Sequence, residues 1–212
     1  MEIATLVVVV MVIVTALIFD FTNGFHDTAN AMATSIATGA LKPKTAVLAA
    51  GTLNLIGAFL STEVAQTISG GLINEQQVAI GPEFIFAGLV GAILWNLLTW
   101  LVGLPSSSSH ALFGGLVGAV IIGAGFEGVN FAGVLTKILI PAIVSVIVAA
   151  LAATCATKLI GLITRGMDES KVENGFRHGQ TVTACLVALS HGTNDAQKTM
   201  GIITLTLVAA GL

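Results

Sequence analysis

Long apolar runs alternate with short polar connections along this chain. The runs fall at about 3–19, 45–60, 84–102, 111–124, 131–163 and 181–212. Most approach the roughly 20 residues that an α-helix needs to cross a hydrocarbon core. Lipid offers no partner for backbone polar groups, so such runs are helical. The pattern predicts an all-α fold, a polytopic transmembrane helical bundle. The first run, closing at Phe19, has no basic leading segment and no small-residue cleavage pattern, so it reads as a retained helix. The 131–163 run is longer than one span, so either Pro141 kinks it or one end projects from the bilayer.

Composition supports a membrane setting. Of 212 residues, 55% are hydrophobic and 9% charged, against about 25% charged in soluble domains. A net charge of -3 gives no reason to expect nucleic acid as a partner. Cys155 and Cys185 stand apart in apolar runs, outside any metal or disulfide pattern. The 24 glycines suit close helix packing in lipid, and Trp100 suits an interfacial anchor.

The connections are asymmetric in charge. Lys42 and Lys44 follow the first helix, and Arg165, Lys171 and Arg177 lie in the polar segment 164–180. Glu63, Glu75 and Glu83 occupy 61–83 without a basic residue, and Glu127 stands alone in the next turn. Basic connections on the cytoplasmic side place the N-terminus outside and the 164–180 linker inside, with Lys137 fitting poorly. The linker's mixed charges read as a solvated loop.

One motif occurs twice. Asn23-Gly-Phe-His-Asp-Thr-Ala-Asn30 closes the first run, and His191-Gly-Thr-Asn-Asp-Ala-Gln-Lys198 lies in the last. An offset of 168 aligns Gly24 with Gly192, His26 with Asn194, Asp27 with Asp195 and Met32 with Met200. A carboxylate at mid-membrane costs about 2.5–3.5 kcal/mol on insertion scales, which marks it as functional unless it is paired. Glycine beside Asn or Asp predicts broken helices whose backbone could bind ions. With the N-terminus outside, the two copies run in opposite directions, as in inverted repeats.

Between the copies lies Gly103-Leu-Pro-Ser-Ser-Ser-Ser109-His110. Proline with serines behind it suits a helix N-terminus, where free N–H groups, hydroxyls and the dipole receive an anion. The stretch 103–123 reads as a re-entrant hairpin or a full span. A Ser109–His110 hydrolase triad finds no G-x-S-x-G elbow, so no enzyme is expected. His26 and His191 read as proton-coupling groups or as satisfied interface histidines. Asp20 shares a helical face with Asp27 and is a second candidate carboxylate. Lys198 pairs with a carboxylate or neutralises an anion. Asn54 and Asn96 read as interhelical glue.

These three motifs, in this order, closely resemble the PiT family of inorganic phosphate transporters. The resemblance runs through essentially the whole chain. It implies an inorganic phosphate:cation symporter (H+ or Na+) working by alternating access as a multi-pass protein of the cytoplasmic membrane. Its partners would be phosphate, free or as a metal–phosphate complex, the coupling cation and the lipid bilayer. No cofactor is implied. Carried over, Ser106, Ser107, Ser108, Ser109, Thr28 and Asn194 would bind phosphate; Asp27, Asn30, Asn194 and Asp195 would bind the cation; His26, His191, Lys198 and Asp20 would serve proton or charge coupling. His26 and Lys198 depart from the signature, so the coupling ion stays open.

Three segments are expected: a first transmembrane repeat at 1–163, a cytoplasmic linker at 164–180, and the start of a second inverted repeat at 181–212. Asp27 precedes Ser106 by 79 positions, and the same spacing from Asp195 reaches about 274, beyond Leu212. A fragment is therefore expected, completed by a second half or a homo-oligomer. The competing reading is a helical membrane scaffold without transport, its motifs serving only as packing glue. An open channel fits paired charged motifs less well.

Overall fold

The computed structural model describes residues 3–60, 71–73 and 81–212, apart from the side chains of Asn30 and Glu169. Helix α1 spans Ile3–Ala37, α2 Pro43–Ala58, α3 Pro82–Leu101, α4 Ser108–Ala124, α5 Phe131–Ile163 and α6 Glu169–Ala209. Among the described residues the only β feature is an isolated Ile73–Val129 bridge. The fold is an all-α helical membrane bundle, and α1, α3 and α5 are long and apolar enough to cross a bilayer.

Local chemistry starts these helices. Pro43 and Pro82 occupy first turns, where a missing N–H costs nothing. Ser107 caps α4, and the Asp168 side chain caps α6 by accepting from Ser170 N at 3.1 Å. This corrects the loop expected at 164–180, which is helical from Glu169 onward. The cap and a Glu173–Arg177 pair at 3.0 Å carry the helix back through polar sequence.

Two apolar clusters hold the bundle. In the first, Val12, Ala16 and Phe19 of α1 meet Ile85 and Leu89 of α3, Leu112 and Leu116 of α4, and Ile202 and Leu205 of α6. In the second, Met32 meets Ala46 and Ala50 of α2 and Ala184 and Ala188 of α6. Numbers rise along α1 as they fall along α6, so the two signature helices are antiparallel. A polar layer lies between the clusters.

The α3–α4 hairpin turns back at that layer. Its arms touch where Gly115 lies on the Gly88 carbonyl, leaving no room for a Cβ. Phe25 and Trp100, with ring centroids 5.5 Å apart, tie the tip to α1. Beyond the tip α1 and α6 continue onto α2, so 103–123 is the tip and return arm of a hairpin. At that far end Thr38 Oγ donates to Gln180 Oε1 at 2.7 Å, which places the basic 42–44 and 164–180 connections together. Glu63 and Glu75, used in the charge argument, lie outside the described residues.

At Pro141 the helix continues, and a π-helical turn at Leu135–Leu139 precedes it. Proline lacks an N–H and crowds the carbonyl four residues back, here that of Lys137, and a wider turn relieves both. No residue of Ile140–Ile163 is buried. Ile143, Val144, Val146, Ile147 and Val148 are about half or more exposed and together ring the helix. Thr154 and Thr157 each donate to a carbonyl of their own helix, at 2.7 and 2.8 Å. An apolar helix whose hydroxyls bond inwardly suits lipid.

The helices through both signatures are unbroken, contrary to the break expected there. Among the described residues positive φ is confined to Gly39, Gly103, Gly125, Gly166 and Gly211, all outside the signatures. The signature carboxylates find side-chain partners within and across helices, so no backbone opening is needed to satisfy them.

Candidate anion and cation site

Asp27 sits on α1, Asp195 and Lys198 on α6, and Ser108 on the first turn of α4. Their antiparallel crossing at the hairpin tip turns a repeat in sequence into a cluster in space. Asp195 Oδ1 accepts from Lys198 Nζ at 2.5 Å, while its Oδ2 accepts from Asn23 Nδ2 at 2.7 Å and lies 2.9 Å from His191 Nε2. Asp27 Oδ2 accepts from Ser108 Oγ at 3.2 Å and lies 3.7 Å from His191 Nε2. His26 Nδ1 is 2.9 Å from Asp27 Oδ1. Lys198 Nζ also donates to Ser108 Oγ at 3.2 Å, closing a ring of three helices.

Lys198 is only 5% exposed, so its ammonium depends on Asp195 and Ser108 for solvation. His191 lies between the two carboxylates. Asp27, His191 and Asp195 offer ligand atoms within 4.8 Å of one another, a spacing that one cation could bridge.

Two cavities meet at this layer. The first, about 720 Å³, is lined by Ser107, Ser108, Ser109, Asn194, Lys198 and Lys137, with Asp27, His191 and Asp195 at its wall. It combines hydroxyls, a helix N-terminus and two ammonium groups, the chemistry of an anion site. The second, about 350 Å³, lies on the other side of Asp195 and His191 and is lined by Asp20, Asn23, Thr28 and Asn54. The Oδ1 atoms of Asn23 and Asn54 are buried and accept no hydrogen bond. Carboxylates and bare amide oxygens make a hard, oxygen-rich wall.

Most expected residues gather here, with four exceptions. Ser106 turns away from the first cavity and accepts from Trp95 Nε1 at 3.0 Å. Thr28 lines the second cavity instead and donates to the Gly24 carbonyl at 2.5 Å. Asp20 and Thr28 belong to the second cavity, so Thr28 does not line the anion cavity as expected. The Asn30 side chain lies outside what is described. Sequence reasoning missed Asn23 and Asn54, which a cross-helix carboxylate and a facing glycine single out only in three dimensions. Lys137, an outlier in the charge pattern, lines the first cavity.

A model of the phosphate transporter family matches residues 23–170 and 163–211. A probable low-affinity inorganic phosphate transporter of Mycobacterium tuberculosis is 58% identical over 97% of this chain and 49% of its own length. One from Streptomyces halstedii is 44% identical over 88% of this chain and 87% of its own. The solved structure titled "The sodium-dependent phosphate transporter" matches with a TM-score of 0.86 at 22% identity, covering 97% of this chain and 68% of that one. The chain spans about half the length of the first curated relatives it matches. With both signatures, the serine tip and the fold in agreement, this chain belongs to the phosphate transporter family.

Proposed function

We propose that this chain forms one half of a secondary transporter that carries inorganic phosphate with a cation through the cytoplasmic membrane, its N-terminus outside. The second half is an inverted repeat, supplied by further sequence or another copy. The observation that carries this reading is the meeting of Asp27 and Asp195, on antiparallel helices, beside a serine tip and the buried Lys198. Phosphate sits in the first cavity, receiving Ser107, Ser108 and Ser109 hydroxyls, Asn194 and Lys198. The cation sits across Asp195, among Asp20, Asn23 and Asn54.

Coupling follows from electrostatics. Two unit charges 4 Å apart interact by about 4 kcal/mol at an effective dielectric of 20. Two carboxylates on the wall of an anion site therefore oppose phosphate until a cation offsets them. Cation first, phosphate second is the favoured order, and rocking of one repeat against the other then exposes the pair to the far side. His26 and His191 hold the carboxylates in place and are the candidates for proton coupling.

The test is labelled-phosphate uptake in proteoliposomes, using this sequence followed by the second half of a full-length relative. Sodium and proton gradients are imposed separately. Uptake driven by either gradient and lost in both Asp27→Asn and Asp195→Asn is expected. Normal uptake in both variants would sink the assignment, and no phosphate binding at all would favour the scaffold reading.

A further inference from the structure

Ser107 lines the first cavity and also a separate groove of about 420 Å³, on whose wall stands His110. Ser107 Oγ accepts from His110 N at 3.4 Å and lies 2.8 Å from His110 Nδ1. The phosphate-site reading above gives His110 no task. Resting on that reading, we propose that His110 is a positioning residue that releases the Ser107 hydroxyl toward the anion when its ring takes up a proton.

A hydroxyl carries one proton. When Nδ1 of the neutral ring is bare, Ser107 donates that proton to it and turns a lone pair toward the cavity, where an anion is repelled. When the ring is protonated, Nδ1 must donate to Ser107 Oγ. Both bonds from His110 then arrive as donors, and the hydroxyl proton is free for a phosphate oxygen. The neutral tautomer with a proton on Nδ1 allows the same geometry, so protonation acts by removing the one form that cannot donate. By linkage, anion binding then favours the protonated ring to the same extent.

Among the described residues nothing else near the ring competes for this role. Trp95 donates its N–H to Ser106. Glu83, the titratable residue of α3, lies in the first turn of that helix, at the end away from the tip, and α4 has no titratable residue besides His110. Asp27 and Lys198, from α1 and α6, reach the tip through Ser108 rather than through His110. His110 itself is exposed and can exchange protons with its surroundings.

The experiment measures the half-saturation concentration for phosphate against pH, with equal pH on both membrane faces and a fixed cation gradient. It uses the same extended polypeptide as above. Phosphate's own protonation is common to every variant, so the ratio of variant to parent is read. In His110→Asn the amide can donate to Ser107 at any pH. The parent should gain about ten-fold in affinity relative to this variant as pH falls and the ring takes up its proton. Ser107→Ala should flatten the profile equally, and adding His110→Asn to it should change nothing further. A parental profile in His110→Asn overturns the inference, as does a further His110→Asn effect in the Ser107→Ala background. Ser108→Ala and Ser109→Ala separate the two levels. If they leave half-saturation unchanged, the anion-site reading fails; if they raise it while His110→Asn keeps the parental profile, this inference alone fails.

Discussion

The two signatures align without a gap, yet the structure gives them different surroundings. On α6, Gly192 presses on the backbone of Asn54 in α2, and a Cβ there would collide. On α1, its counterpart Gly24 has nothing within 4 Å of where a Cβ would stand. Asp195 is bound to a buried ammonium, a histidine and an amide, whereas Asp27 bonds His26 and one serine hydroxyl. Lys198 stands where α1 has Asn30. The lesson is that the α6 copy is both candidate site and structural joint, while the α1 copy contributes mainly to the candidate site.

Several substitutions would break or sharpen that contrast. The largest effect is expected for the carboxylates. Asp27→Asn and Asp195→Asn should each remove phosphate uptake, but only Asp195→Asn should also destabilise the fold. It strands the Lys198 ammonium in a buried place, at about 3–5 kcal/mol when a buried pair loses one partner. Thermal unfolding in detergent checks this, and equal losses of stability would erase the distinction.

Next come the glycines. Gly192→Ala should cost about 1–3 kcal/mol by overpacking against α2, whereas Gly24→Ala should leave this chain's stability within about 0.5 kcal/mol. Parallel melts of the two variants are the comparison to make. A smaller and more selective effect is expected at the second cavity. Asn54→Ala should raise the cation half-saturation about ten-fold, equivalent to about 1.4 kcal/mol, with phosphate half-saturation unchanged at saturating cation. A change in phosphate half-saturation alone would move Asn54 out of the cation site. The smallest effect belongs to the exposed Glu173–Arg177 pair, where Arg177→Ala should cost no more than about 0.5 kcal/mol in the same melts.

Much of this was legible in the order of residues. Apolar runs of spanning length dictate helices because a backbone in lipid must bond to itself. The recurrence of Gly and Asp at one offset marks two copies of a candidate site, since a carboxylate in an apolar run is costly. The serine run behind Pro105 announces a helix start. Expectation failed where partners come from other helices. Breaks were expected at Gly24 and Gly192 because isolated polar groups in a helix need new partners. Asn23 and Ser108 supply partners from neighbouring helices, His191 and Lys198 add partners for Asp195 within α6, and the helices stay whole. The polar linker became helix because a cap and an i,i+4 pair suffice where no packing is required.

The sequence by itself determined the helical membrane fold, the duplicated motif and the chemical types at the site, because hydropathy, spacing and charge are properties of the chain alone. Only the tertiary structure decided which serines face the candidate site, that Asn23 and Asn54 line a second cavity, and that Lys137 lines the first. Those facts depend on the depth at which a hairpin turns and on the rotation of each helix about its axis. Both are set by contacts between residues far apart in the chain.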